Sequence, residues 1–306
     1  MATPRLLYPA LRVFAGALVL AAAPAGLRAQ QAPADSAWGA VERALGRAGQ
    51  AQPDGAFKFG FLRSDLTVTV SGVQLRPALA LGSWVDFRRT AAARAMVMGD
   101  LVLTEPEVAP VMDALQAGGV DATALHNHLL GESPRVLYMH IMGEGEPVAL
   151  ATTIHGALAR SSTPLGPAAA AAPPPLDLDT AAVATALGRH GKANGGVYQV
   201  SVPRAQPVRE HGMEVPPSMG VATALNFQPT GAGRAAVTGD FVLTADEVVP
   251  VARALRAHGI QPTALHSHML GEEPRLYFMH FWADSDAVAL ARGLRAALDR
   301  TASRRP

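Results

Sequence analysis

The sequence predicts an α+β fold built twice, each repeat a mostly antiparallel sheet with two helices in the order β-β-β-α-β-β-α. Three observations lead there. Residues 99–158 align with residues 239–298 at a constant offset (266 − 126 = 140) without a gap, and 31 of the 60 positions are identical. A period that long is no solenoid, so the chain is a tandem pair of domains that can pack about a pseudo-two-fold axis. Apolar residues alternate in several short segments of each repeat, as strands with one packed face require. Finally, Thr104 with Glu107 and Thr244 with Glu247 have capping-box spacing ahead of apolar residues at helical period.

The second repeat shows the order of elements more clearly. "GGVYQVSVPR" (Gly195–Arg204) alternates and follows an Asn-Gly-Gly turn, "SMGVATALNFQP" (Ser218–Pro229) forms a second strand, and "GRAAVTGDFVLT" (Gly233–Thr244) a third. A helix follows, with Val248, Val251 and Leu255 on its apolar face and His258-Gly259 at its end. Pro110 and Pro250 fall inside the two equivalent helices and are expected to kink them. "PTALHSHML" and "RLYFMHFWA" are two further strands joined by "GEEP", and "DSDAVALARGLRAALDR" is a closing amphipathic helix with an acidic first turn.

The expected limits are a leader over 1–29, repeat one over 36–160, a spacer over 161–177 and repeat two over 178–302. Arg5 followed by the apolar run Val13–Ala23 and small residues up to Ala29 is the pattern of a secretory signal, and the run is shorter than the ~20 residues a membrane span needs. A periplasmic or secreted protein is expected, with no transmembrane segment after cleavage. The spacer "SSTPLGPAAAAAPPPL" is uncharged and stiffened by Pro173, Pro174 and Pro175.

A formal charge of +1, from 26 basic and 25 acidic residues, supplies no field to attract nucleic acid or anionic membrane. With no cysteine, disulfides, thiolate chemistry and a lipidated N-terminal cysteine are all excluded. The chain has no phosphate-loop motif, no Gly-x-Ser-x-Gly elbow and no His-Glu-x-x-His helix.

The chemistry concentrates in "ALHNHLLGESPRVLYMH" (Ala124–His140) and its copy "ALHSHMLGEEPRLYFMH" (Ala264–His280). Along a strand His126 and His128 share a face, as do His266 and His268. His140 and His280 lie on the next strand, and Glu132 and Glu272 open the turn between. Imidazoles with a carboxylate suit zinc, copper, iron, nickel or manganese. The spacing His-x-His-x-x-x-Glu is shared with the cupin metal motif, but two helices per repeat depart from a jelly roll. Alternatively, Arg135 and Arg275 could grip a small anionic ligand, or pair with Glu132 and Glu272 and fix the turn. The histidines could also be satisfied core residues. Asp100 and Asp240, in "MGD" and "TGD", read as turn or ladder residues.

"NGGVYQVSVPR", "GMEVPPSMGVATALNFQPTG", "AAVTGDFVLTADEV", "TALHSHMLGEEPRLYFMHFWA" and "DAVALARGLRAALD" together resemble the LppY/LpqO family of exported bacterial proteins, over Leu187–Asp299. The first repeat keeps "GD…VLT" and "ALHNHLLGESPR" but carries "FKFGFLRSDLTVTVSGVQLRP" upstream. The resemblance implies export and these domain limits, and no reaction. The sequence is compatible with a metal- or ligand-binding protein, with one site per repeat or one shared site, with a metal-dependent enzyme, and with a structural or partner-binding module of the cell envelope.

Overall fold

A computed structural model describes residues 1–2, 38–91, 93–166 and 174–305. The expected leader, apart from its first two residues, and the alanine-rich middle of the spacer lie outside the described residues. The described residues from 38 onward form one compact unit.

The first repeat opens with α1 (Gly39–Leu45), β1 (Gln50–Ala51), β2 (Phe57–Leu62), β3 (Thr69–Val70), β4 (Val73–Gln74) and α2 (Pro77–Ala80). It continues with β5 (Gly82–Ala91), β6 (Arg94–Thr104), α3 (Glu105–Ala117), β7 (Asp121–His126), β8 (Glu132–Ser133), β9 (Val136–Gly145) and α4 (Pro147–Leu158). The second repeats the plan with α5 (Thr180–Leu187), β10 (Lys192–Asn194), β11 (Val197–Pro203), β12 (Val208–Glu210), β13 (Met213–Val215) and a 3₁₀ turn at Pro217–Met219 in place of α2. Then come β14 (Ala222–Gly231), β15 (Arg234–Leu243), α6 (Ala245–Ala257), β16 (Gln261–His266), β17 (Glu272–Glu273), β18 (Tyr277–Asp286) and α7 (Ala287–Leu298).

Each repeat forms an antiparallel sheet of six strands, in the orders β1-β2-β5-β6-β9-β7 and β10-β11-β14-β15-β18-β16. The predicted α+β class is therefore the observed one, with additions. Each repeat also starts with a short helix, and each sends out a hairpin (β3–β4, β12–β13) that captures the short strand β8 or β17 into a three-stranded sheet. As a result the link between β7 and β9 is no simple turn. Its middle residues belong to that second sheet.

Strand alternation sorts the core into layers. Leu101, Leu103, Met139 and Ile141 face their own repeat's helices, with Val111, Leu115, Leu150 and Ile154. The alternate residues face the other repeat: Met96 and Met98 pack with Val242, Met269 and Phe278, and Val102 and Tyr138 pack with Ala236 and Trp282. The order of layers is helices, sheet, sheet, helices. Aliphatic and aromatic side chains on both faces explain why β6 reads as an almost unbroken apolar run.

The capping boxes form as the spacing requires in α3 and α6. Both helices run on through their proline. Each proline stands where its missing N–H would have met a first-turn carbonyl, at Pro106 or Asp246.

Candidate metal centre

His140 sits mid-strand on β9, opposite Asp100 on β6 and Ala124 on β7. His280 sits on β18, opposite Asp240 on β15 and Ala264 on β16. Cross-strand partners share a face, and these face the other repeat. His126 and His266 are the last residues of their strands, opposite Tyr138 and Phe278. His128 and His268 lie past the strand ends, so the sequence expectation of two histidines along one strand holds only for the first of each pair. Their rings still arrive at the same place, because each backbone is held by the other repeat. The Thr123 hydroxyl donates to the His268 carbonyl at 2.6 Å, and the Thr263 hydroxyl to the His128 carbonyl at 2.5 Å.

The six rings meet in one chamber between the sheets. Across the repeats they stack in pairs, His126 on His266 with centroids 3.5 Å apart, His128 on His280 at 3.8 Å and His140 on His268 at 3.5 Å. Tyr138 covers the outer side of His128 at 3.3 Å, and Phe278 covers His268 at 3.4 Å. The Nε2 atoms of all six imidazoles are buried, and none has a hydrogen-bond partner. Buried polar atoms in folded proteins are nearly always paired, so six orphans in one place require an explanation.

The Nδ1 atoms differ. His126 bonds the Asn127 carbonyl at 3.1 Å, His266 the Ser267 carbonyl at 3.4 Å and His280 the Gly239 carbonyl at 2.8 Å. The His140 ring bonds the Gly99 backbone. A carbonyl only accepts, so Nδ1 carries the proton in the first three and the Nε2 lone pair faces the chamber. That tautomer leaves Nε2 free to ligate a metal while Nδ1–H is held by a backbone carbonyl.

Two aspartates complete the chamber. Asp100 approaches the His128 Nε2 at 3.6 Å and the His140 Nε2 at 3.8 Å. These separations exceed a hydrogen bond and lie near the roughly 3.4 Å between neighbouring ligands of a tetrahedral ion with bonds of about 2.1 Å. Among the described residues, three groups bring ligand atoms within 4.8 Å of one another: Asp100 with His126, His128 and His140; Asp240 with His268 and His280; and His126 with His266 and His268.

Burial sets the electrostatics. It pushes His126 down to about 4 and His266 down to about 3, while burial and then the neighbouring imidazoles hold His128, His140, His268 and His280 well below the ordinary value. Asp100 is raised to about 8 by burial and then by Asp240. The Asp240 carboxyl is raised to about 7 by burial. All eight groups are thus driven towards neutrality. A bound cation would reverse this for the carboxylates and leave the imidazoles ready to ligate.

Glu132 and Glu272 are not in these groups. Glu272 accepts from the Leu276 N–H at 3.0 Å and from Arg275 at 3.1 Å, and Arg275 also reaches the Met269 and Leu270 carbonyls. Glu132 is raised to about 7 by burial, which outweighs the pull of the Val136 N–H and Arg135. Arg135 is exposed.

Fold and site together define a class of protein: a duplicated α+β chain with a histidine- and aspartate-lined chamber between its halves. The chain belongs to the family described as Domain of Unknown Function (DUF1259), which matches residues 39–160 and again 181–300. No curated protein matches it. Among solved structures it is similar to a trimeric bacterial microcompartment shell protein, PduB, at 14% identity over 82% of this chain and 90% of that one, with a TM-score of 0.20. It is also similar to EtuB from Clostridium kluyveri, at 11% identity over 82% and 90%, with a TM-score of 0.19. At those TM-scores neither relative informs the function of this chain. Among the described residues no helix is long and apolar enough to cross a membrane.

Proposed function

We propose that this protein binds a transition metal in the chamber between its repeats, as an exported protein of the LppY/LpqO type. The six buried, unpartnered Nε2 atoms carry the reading. A sheet interface built only for stability would fill this space with apolar side chains like those beside it, because unpaired buried polar atoms cost about 1–3 kcal/mol each. His126, His128, His140, His266, His268 and His280 supply nitrogen donors, and Asp100 and Asp240 supply carboxylates. Nitrogen-rich sets of this kind suit zinc, copper, iron, nickel or manganese. Glu272 and Arg275 act one step away, shaping the loop that carries His268, and in the first repeat Glu132 accepts from the Val136 N–H at the equivalent place. Export rests on the signal pattern of residues 1–29.

Elemental analysis of protein purified without a nickel column or chelator tests this, beside a His126→Ala/His266→Ala variant. The expected result is a single transition metal in the wild type, largely lost in the variant, with metal raising the wild-type Tm. A wild type that is metal-free and takes up none of the five ions would refute the proposal.

A further inference from the structure

We infer that the chamber holds two metal ions, one in the set of each repeat, stacked face to face across the pseudo-two-fold axis. This rests on the metal reading above and goes beyond it in the number of ions and the assignment of their ligands.

The ring planes set the number of ions. An imidazole ligates through a lone pair in the plane of its ring, so an ion it holds lies in or near that plane, about 2 Å from the nitrogen. His126 and His266 lie face to face with centroids 3.5 Å apart and planes inclined by 21°. Those planes converge only about 10 Å away (3.5/sin 21°), far beyond a bond of about 2 Å. The two rings therefore aim at different ions. The same holds for His128 over His280, at 3.8 Å and 23°, and for His140 over His268, at 3.5 Å and 21°.

Each stacked pair gives one ring to each ion, and the repeats decide which. His126 lies beside His128 and His140, with centroids 5.1 Å away in both cases, and His266 beside His268 and His280 at 4.9 and 5.0 Å. The diagonals between the sets are longer, at 5.7, 5.9 and 6.2 Å. The rings thus form two tiers, one per repeat. The carboxylates divide the same way, Asp100 with His126, His128 and His140, and Asp240 with His268 and His280. The mixed group of His126, His266 and His268 includes a face-to-face pair, so it cannot serve one ion.

Two further points agree. Eight donors exceed the four to six that one such ion takes. The spacing between tiers, 3.5–3.8 Å, matches the roughly 3.5–4 Å between ions in two-metal sites. Two divalent ions against two carboxylates leave net positive charge, so the second ion binds more weakly than the first and loading must be taken to saturation.

The full chain, stripped of metal, is titrated with copper(II) alone, desalted and assayed for copper, and its electron paramagnetic resonance spectrum is recorded. The inference expects two equivalents per chain and a spectrum dominated by coupling between the two ions. His280→Ala, and separately His140→Ala, should each reduce binding to one equivalent with the signal of an isolated ion. One equivalent with an isolated signal in the wild type overturns the two-ion assignment and leaves the metal reading standing. No copper, together with no uptake of the other four metals, overturns both. The wild-type count and spectrum decide the matter even if a variant fails to fold.

Discussion

Gly99 and Gly239 stand just before the two chamber aspartates, where the neighbouring strand leaves no room for a side chain. A Cβ on Gly239 would lie 1.9 Å from the Ala224 carbonyl oxygen, and one on Gly99 would lie 2.6 Å from that of Trp84. Each glycine also offers its backbone to a site histidine, Gly99 to His140 and Gly239 to His280. Gly239→Ala is expected to destabilise the protein by about 1–3 kcal/mol in urea unfolding, and to lower metal occupancy with it. The two threonines that clasp the opposite repeat have a subtler role. Thr123→Val and Thr263→Val keep the shape, lose the hydroxyl bonds, and are expected to weaken metal binding by roughly tenfold in a competition titration with a chromogenic chelator. The histidines were legible in the sequence because they recur at fixed spacing in apolar surroundings. Asp100 and Asp240 were not, because an aspartate after a glycine reads equally well as turn or ladder, and only the register that sets them opposite His140 and His280 brings them to the histidine cluster. Nothing in the local sequence of Thr123 or Thr263 announces a partner in the other repeat.

At the level of elements, the two helices that open with a capping box are each tied to a strand end by a buried ion pair. Arg63, fully buried at the end of β2, meets Glu107 at 2.8 Å, and Arg204, beside β11, meets Glu247 at 2.7 Å. The same glutamates accept the Thr104 and Thr244 N–H groups at 2.8 Å, and the N–H groups of Ser162 and Ala302 after the closing helices. Burial works to raise Glu107 and Glu247, but hydrogen bonds from Arg63 and Arg204 and from the backbone hold both below the ordinary value. A carboxylate held low stabilises the fold above its unfolded pKa of about 4.5 and loses that contribution as pH falls through the lower folded value. Glu107→Gln should therefore cost about 3 kcal/mol at pH 7 and flatten the acid limb of the stability profile, measured by urea midpoints between pH 3 and pH 7. The capping box could be read from Thr104 and Glu107, three residues apart. The arginine could not, because its partner lies 44 residues further on and no local pattern joins them. The hairpins β3–β4 and β12–β13 were missed for a related reason: strands of two or three residues are too short to show alternation.

At the scale of the whole molecule, neither repeat has a finished surface. The inner face of the second repeat presents Val242, Met269 and Phe278 to Met96 and Met98 of the first. Residues 178–302 expressed alone would expose that face together with three of the six histidines. Such a fragment is expected to dimerise or aggregate, and size-exclusion chromatography with light scattering would show it; a stable, dilute monomer would contradict the layered packing described above. The duplication and the order of elements were legible because 31 of 60 aligned positions coincide. That the two histidine sets meet in one chamber was not, since the same repeats could have buried their inner faces against other partners. Tyr138 and Phe278, which close the two ends of the ring stack, carry a last consequence. The chamber has the form of an interface between identical subunits, and a site shared by separate chains is lost on dilution and can change only in both halves at once. Here one chain holds both halves, so the site forms at any concentration, and the two ends can evolve apart: one already carries a hydroxyl, bonded to the Ala80 carbonyl, where the other carries none.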